Sequence, residues 1–476
     1  LKLKIPIYEN SSRGPLMIKA GMIAYDIFSF DKSLPNHQFY FINKNSKHSE
    51  SDPSLLKEGL KAVASYYDCQ VGYPERLCLE IVLSANEAGA YVLNHNEMIE
   101  YQSIQPDLKE LTVRDRLSGE INRFKSKLVV NASGVFVDEI CQLIDDDISR
   151  KMGGTKGSHI LIEKFENGPE DALYIEARQD GRPFFIVPWR DYYLVGTTDI
   201  YYDGNLDEIV ASDEEVEYLL TELNTFIPEN NFTKEDVLYT YSGVRPLLYE
   251  PGKKESQVTR KHVIFDHEKN DGHQNFISII GGKLTTYRNL AEECVDLICE
   301  KLDYKAKSKT RNYPLFGSYG ISNIERYIQD VAVEYSKNYQ LPRETVEYLI
   351  RFYGSNFKDV LEFTEKDEKL KEPICENNPD IKAQIPYAIK YELAKNLDDI
   401  LVRRTGIGTS RCLGLDCIET AAKVAVPLFG WDRKEMRNQI QFYEDKIKKL
   451  YRPNLNSETR KSKKKKIFNY KFLRDL

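Results

Sequence analysis

Ile279-Ile-Gly-Gly-Lys-Leu-Thr-Thr-Tyr-Arg288 is an apolar strand that ends on two glycines and runs straight into an amphipathic helix. The first amides of such a helix have no partner within it, and facing the strand's end they stabilise negative charge. Lys283 adds a point charge at the same turn. Val129-Val-Asn-Ala-Ser-Gly134 is a second junction of this kind, a buried strand passing through small residues into a helical pattern over 135–144. A turn like this lets backbone approach the pyrophosphate or ribose of a dinucleotide, although a glycine there can equally serve packing. Lys156-Gly-Ser-His-Ile160 sets a histidine at the start of a strand, as a structural ring or a reactive one. Tyr241-Ser-Gly-Val-Arg-Pro246 fixes an arginine between a glycine and a proline, suited to bidentate phosphate recognition or to a surface ion pair.

Around these stretches the chain reads as mixed strand and helix to about residue 305, an α/β or α+β body. Leu111-Thr-Val-Arg, the turn over 117–120 and Leu128-Val-Val130 predict a β-hairpin feeding a buried strand. Strands are expected over 158–162, 183–189, 192–198, 236–242 and 275–280, with 183–189 and 192–198 paired across Arg190-Asp191. Ser212-Asp-Glu-Glu215 is a capping box opening a helix whose Val216, Leu219, Leu220, Leu223 and Phe226 share one face. Apolar spacing from Pro53 to Gly89 is helical, and 90–100 reads as a strand. After Gly317 strand signals stop. Capping boxes at Ser322-Asn-Ile-Glu325 and Asp432-Arg-Lys-Glu435 bracket helical patterns over 346–352, 388–402 and 418–429. The expected organisation is thus a body over 1–317, with its sheet mainly in 150–275, a helical domain over 318–452 and a basic tail over 453–476. Lys463-Lys-Lys-Lys466, interleaved with Phe468, Tyr470 and Phe472, gives that tail either a solvated character or an affinity for anionic lipid.

The 476 residues, 41% hydrophobic and 30% charged, are enough for sizeable cores. With 67 Lys and Arg against 74 Asp and Glu, the net charge of -7 argues against a nucleic-acid partner. The eight cysteines show no CxxC pair and no histidine at zinc spacing, so neither a disulfide scaffold nor a metal site is expected. No apolar run reaches the ~18 residues a membrane-crossing helix needs, so any membrane contact is peripheral. Gly406-Ile-Gly408 imitates a dinucleotide fingerprint, but Arg411 stands at the third glycine position and no strand precedes it. The stretch 266–272 imitates a calcium loop, with its glycine one place late.

Taken in order, Lys156-Gly-Ser-His159, Val195-Gly-Thr-Thr-Asp199, Tyr241-Ser-Gly-Val-Arg-Pro-Leu247 and Gly281-Gly-Lys-Leu-Thr-Thr-Tyr-Arg288 resemble the FAD-dependent glycerol-3-phosphate dehydrogenases, the membrane-associated, quinone-linked kind. Tyr66-Tyr-Asp-Cys-Gln70 and Val130-Asn-Ala-Ser-Gly134 match as well, and Leu401-Val-Arg-Arg-Thr405 resembles the family's helical C-terminal domain. The resemblance implies a Rossmann-like FAD-binding domain with an antiparallel-sheet substrate domain. It implies oxidation of sn-glycerol 3-phosphate to dihydroxyacetone phosphate, electrons passing to a membrane quinone. An α-glycerophosphate oxidase using oxygen and a truncated non-catalytic relative are the alternatives. The location implied is the mitochondrial inner membrane, peripherally, in a eukaryote, or otherwise the bacterial inner membrane.

On the matched positions the resemblance makes His159 the base for the hydroxyl proton and gives the phosphate to Arg245, with Arg260 as a weaker second. Lys283 would polarise the substrate oxygen or the flavin edge. Asn131, Ala132, Gly134, Gly281, Gly282, Leu284 and Thr285 would border FAD. Two features depart from the family. Its usual opening, a strand, a GxGxxG turn and a helix followed by a further substrate arginine, does not occur here, and since the chain starts at Leu1 a longer native polypeptide is expected. In Gly72-Tyr-Pro-Glu-Arg76 one of two customary acidic residues is missing, while Arg76 is kept.

Overall fold

The computed structural model describes residues 1–29, 34–42, 55–253, 258–376 and 378–453. The basic tail expected from the sequence lies outside the described residues. In chain order, β1 (Lys2–Tyr8), β2 (Gln38–Phe41) and β3 (Leu60–Tyr67) come first. A meander of β4 (Asn96–Gln105), β5 (Leu108–Asp115) and β6 (Ile121–Ser126) leads into the short β7 (Val129–Asn131). Then follow β8 (Thr155–Glu163), β9 (Ala172–Glu176), β10 (Pro183–Trp189), β11 (Tyr192–Gly196), β12 (Ile200–Tyr201) and β13 (Val237–Arg245). The last strands are β14 (Val263–Asp266) and β15 (Phe276–Ile280).

These strands make three sheets. The largest has nine strands, in the order β12-β8-β11-β10-β9-β1-β3-β2, with β13 also paired to β8. Its pairings are antiparallel except for β1 with β9. The second sheet, β14-β15-β7, sets β15 parallel to β7, and the third is the meander itself. This is the mixed α/β fold the sequence implied.

Alternation along β8 decides what each face of the large sheet does. Ile160 and Ile162 point into a core formed with Val195, Ile186 and Phe184, and with Val216, Leu219, Leu223 and Phe226 of the helix Asp213–Phe226. That helix begins on the capping box read from the sequence, Ser212 Oγ accepting from Glu215 N–H and Glu215 accepting from Ser212 N–H. The opposite face carries Leu161, which with Leu238 and Tyr239 packs onto Ile385, Leu401, Ile407 and Ile418 of the helical region. Six helices dominate that region: Ile324–Tyr339, Arg343–Tyr353, Phe357–Lys366, Gln384–Tyr391, Ile418–Phe429 and Arg433–Tyr451. Arg190, in the β10–β11 turn, fastens the two parts by donating to Gly406 C=O, Thr409 Oγ1 and Tyr73 Oη.

Several local expectations are corrected. Residues 60–67 are strand, not helix, and the helix in that stretch is Pro74–Glu87. Between two partner strands, Ala62, Val63 and Ala64 are all fully buried, so no polar alternation reveals the strand. The helix expected over 388–402 stops at Tyr391 and resumes as a π-turn at Asp399–Arg403. Leu393 takes a left-handed φ of 59°, and buried Glu392 is held by Arg76 instead of facing outward. At 322–325 the cap is Asn323, which accepts from Arg326 N–H, because Glu325 is drawn to the Arg351 guanidinium. Asp432 caps its helix, accepting from Glu435 N–H at 2.7 Å, but only half the expected box forms, since the Glu435 carboxylate accepts from the Asn438 and Gln439 side chains.

Candidate active site

The antiparallel register of β8 with β13 puts four pairs on one face: Leu161 with Tyr239, His159 with Tyr241, Gly157 with Gly243 and Thr155 with Arg245. Directly opposed residues share a face, as do residues two apart along a strand. On the other side of β8, Gly196 of β11 sits opposite His159. The result is a trough floored by glycine, with an imidazole at one end and a guanidinium at the other. A Cβ on Gly196 would lie 2.3 Å from His159 Cδ2, and one on Gly157 2.3 Å from Arg245 Nη2, whereas one on Gly243 meets nothing within 4 Å. Bare backbone therefore lets both side chains lie down on the sheet and leaves the space above Gly243 open.

The ring of His159 is largely enclosed, and its Nδ1 is buried without a hydrogen-bond partner. Burial, then the positive charge of Arg245, pulls its pKa down to about 4, so the imidazole is neutral at ordinary pH and has a lone pair to offer. Arg245 is oriented by Asp199 Oδ1 at 3.0 Å and Thr197 Oγ1 at 3.1 Å. Burial lowers the Arg245 pKa and Asp199 opposes that shift; an arginine so placed stays charged. Arg260 reaches the other oxygen of Asp199 at 3.7 Å, so the two guanidinium groups expected to meet phosphate are joined through one carboxylate. Neither Asp199 nor Thr197 carries a sequence signal of its own as a site residue, although both stand in Val195-Gly-Thr-Thr-Asp199. Asp199 also accepts, through its carbonyl, from Arg182.

The two glycine turns lie at one edge of the second sheet. β7 and β15 are parallel neighbours with Asn131 opposite Ser278, so the turns that follow them, 131–134 and 281–282, leave from the same carboxyl end. Ligands of open α/β sheets bind in that crevice. Gly134, Gly281 and Gly282 have φ of 63°, 75° and 97°, a region that disfavours any residue with a Cβ. Leu284 and Thr285 precede the first turn bond, which Thr286 N–H makes to Lys283 C=O, so their amides sit at an open helix start. Asn131 works internally: its Nδ2 donates to Val137 C=O and Ser278 Oγ, and its Oδ1 accepts from Ser133, which braces the turn. Ala132 is exposed on that turn.

The carbonyl of Pro246, next to Arg245, lies 3.5 Å from a Cβ built on Gly281, so the trough and the glycine crevice abut. Lys283 is exposed, two residues beyond that contact. His159, Arg245 and Arg260 are thereby brought together, and Lys283 is adjacent through the backbone. These features fit the isoalloxazine end of FAD: a crevice of unsubstituted backbone with outward-facing amides beside a cationic trough. Arg76, the residue kept in the departing motif, is structural; its guanidinium is buried between Glu80 and Glu392.

Residues 31–288 match the family model described as FAD dependent oxidoreductase, and residues 308–436 match the C-terminal domain of alpha-glycerophosphate oxidase. A glycerol-3-phosphate dehydrogenase of Synechocystis sp. is 40% identical over 459 residues, covering 94% of this chain and 81% of that protein. An aerobic glycerol-3-phosphate dehydrogenase of Staphylococcus saprophyticus is 30% identical over 416 residues, covering 85% and 72%. Among solved structures, the glycerol-3-phosphate dehydrogenase from Bacillus halodurans complexed with FAD superposes with a TM-score of 0.75 at 25% identity, over 94% of this chain and 81% of that one.

Proposed function

This chain belongs to the FAD-dependent glycerol-3-phosphate dehydrogenases, and from that membership we propose that it oxidises carbon 2 of sn-glycerol 3-phosphate to give dihydroxyacetone phosphate. The observation that carries this reading is the trough, in which His159 and Arg245 share one face of β8 and β13 across an open glycine floor. Arg245, assisted by Arg260, holds the phosphate, exchanging part of its contact with Asp199 for the ester's oxygens. His159 accepts the hydroxyl proton of carbon 2 on a ring nitrogen. Lys283 would polarise the substrate oxygen or the flavin edge. Bound FAD supplies the acceptor for the hydride leaving carbon 2.

Phosphate binding also tunes the base. After burial, the positive charge of Arg245 is the second thing that keeps His159 neutral. A phosphate dianion clamped there cancels that charge, and the imidazole becomes more basic only when substrate is seated. His159 thus meets the hydroxyl as a stronger proton acceptor than it is in the empty trough.

For the acceptor we favour a membrane quinone, reached from a peripheral seat on the mitochondrial or bacterial inner membrane. No described helix is long and apolar enough to cross a membrane. The helix Pro15–Phe28 supports a peripheral seat, with Leu16 75% and Phe28 86% exposed and Met17 and Ile27 also outward. The test is to load the purified protein with FAD, add glycerol 3-phosphate and follow loss of flavin absorbance, then compare quinone-analogue reduction with peroxide yield. Bleaching with little peroxide is expected. Flavin that stays oxidised overturns the substrate, and stoichiometric peroxide makes oxygen the acceptor.

A further inference from the structure

Three of the chain's eight cysteines converge, although their linear spacing gives no sign of it. Cys375, Cys412 and Cys417 meet Asp416 so that one ligand atom from each lies within 4.8 Å of the others. Cys375 Sγ is 3.7 Å from Cys412 Sγ and 3.6 Å from Asp416 Oδ1. Two loops make the convergence. The bridge between Pro373 and Ile381 closes the first and lifts Cys375 toward the second. In the second, successive bonds from Leu413 N–H to Ser410 C=O, Leu415 N–H to Cys412 C=O and Cys417 N–H to Gly414 C=O coil residues 410–417 tightly, with Leu413 and Gly414 left-handed at φ 50° and 77°. This coil turns Cys412, Asp416 and Cys417 to one side.

We propose that Cys375, Cys412, Cys417 and Asp416 bind one zinc ion in a closed tetrahedral site. Metal–sulfur bonds of about 2.3 Å at tetrahedral angles put neighbouring sulfurs roughly 3.8 Å apart. The Cys375–Cys412 separation already has that value. It is far from the roughly 2.05 Å of a disulfide, and three thiols cannot pair off among themselves. Soft thiolates with one carboxylate select zinc over magnesium or calcium.

Two neighbouring features suit a metal-bound sulfur. Cys417 is the N-cap of the helix Ile418–Phe429, whose amide end stabilises negative charge. Asn378 Nδ2 donates to Cys375 Sγ at 3.4 Å, the kind of outer contact that orients a metal-bound sulfur. Cys375 and Cys417 are buried and Asp416 is at the surface, which gives the ion a way in. With four protein ligands no position is left for a substrate, so the ion is a staple. It joins the two loops beside Thr409, whose carbonyl accepts from Tyr239 Oη of β13, the strand that carries Arg245.

The experiment uses the FAD-loaded full chain, purified in a non-thiol reductant without chelator. Elemental analysis should find one zinc per chain, and cobalt exchanged for zinc should give thiolate charge-transfer bands with the intense visible bands of tetrahedral cobalt. Cys375→Ser and Cys417→Ser should lower the metal content from one equivalent to near zero. If those variants do not fold, the cobalt spectrum of the unmutated protein decides. Reduced protein that takes up neither zinc nor cobalt overturns the site. So does a Cys375–Cys412 disulfide in metal-free protein, or iron accompanied by sulfide.

Discussion

His159 and Arg245 stand at opposite ends of one strip of sheet, His159 opposed to Tyr241 and Arg245 to Thr155, with Gly157 and Gly243 filling the register between them. The spacing suits a small phosphate ester held by its anionic end while its hydroxyl lies under a ring nitrogen.

The two glycines of that strip should respond differently to alanine. In Gly157→Ala the new methyl displaces the Arg245 guanidinium, which stands 2.3 Å from its position. In Gly243→Ala it enters open space. Gly243→Ala should change stability by no more than about 0.5 kcal/mol while raising KM for glycerol 3-phosphate. Gly157→Ala should raise KM and lower the melting temperature. Steady-state kinetics beside thermal unfolding separates the two.

Replacing Arg245 by lysine keeps a charge and loses the forked donors that now reach Asp199 and Thr197. We expect Arg245→Lys to lower kcat/KM roughly 100-fold, about 2.7 kcal/mol of transition-state stabilisation. Flavin content should be unchanged. Full activity in Arg245→Lys would mean the phosphate is bound elsewhere.

The depressed pKa of His159 has a signed consequence. The unfolded chain takes up this proton near pH 6.5 and the folded chain only near pH 4. Between those values the unfolded state holds more protons, so stability falls as pH drops through that window. The loss is on the order of 3 kcal/mol. His159→Gln should remove that part of the pH dependence, which urea unfolding at pH 7 and pH 4.5 will show. Reaction of substrate-free protein with glycerol 3-phosphate, followed as kcat/KM, should correspondingly have its acid limb below pH 6.5.

A fourth expectation concerns the buried ions where the body meets the helical region. Arg76 lies between Glu80 and Glu392, its guanidinium carbon 4.7 Å from the Tyr353 ring centroid, and Glu392 is fully buried. Arg76→Ala leaves Glu392 uncompensated and should cost about 3–5 kcal/mol. Glu392→Gln removes the stranded charge and should cost less. Denaturant midpoints rank the two variants.

Much of this molecule was legible in the sequence where polarity alternates or a cap is local. The Arg190-Asp191 hairpin, the Ser212 capping box and both glycine turns are examples. β3 was hidden because both its faces are buried, and the break after Tyr391 because its cause, the pull of Arg76 on Glu392, spans 316 residues. The same limit applied to the site. His159 and Arg245 carried their own signals, whereas the role of Asp199 depends on a pairing that only the folded sheet creates. Cys375 and Cys412, 37 residues apart, are the clearest case of chemistry invisible to spacing.

Leu161, which docks the helices, and His159, which faces the trough, are alternate residues of one strand. A one-residue slip of β8 against its neighbours would turn both to the other face and present Ser158 and Ile160 in their stead. Frame-preserving deletion scanning should therefore find β8 intolerant, catalysis and assembly of the helical region failing together, while loops at the sheet's margins accept such lesions.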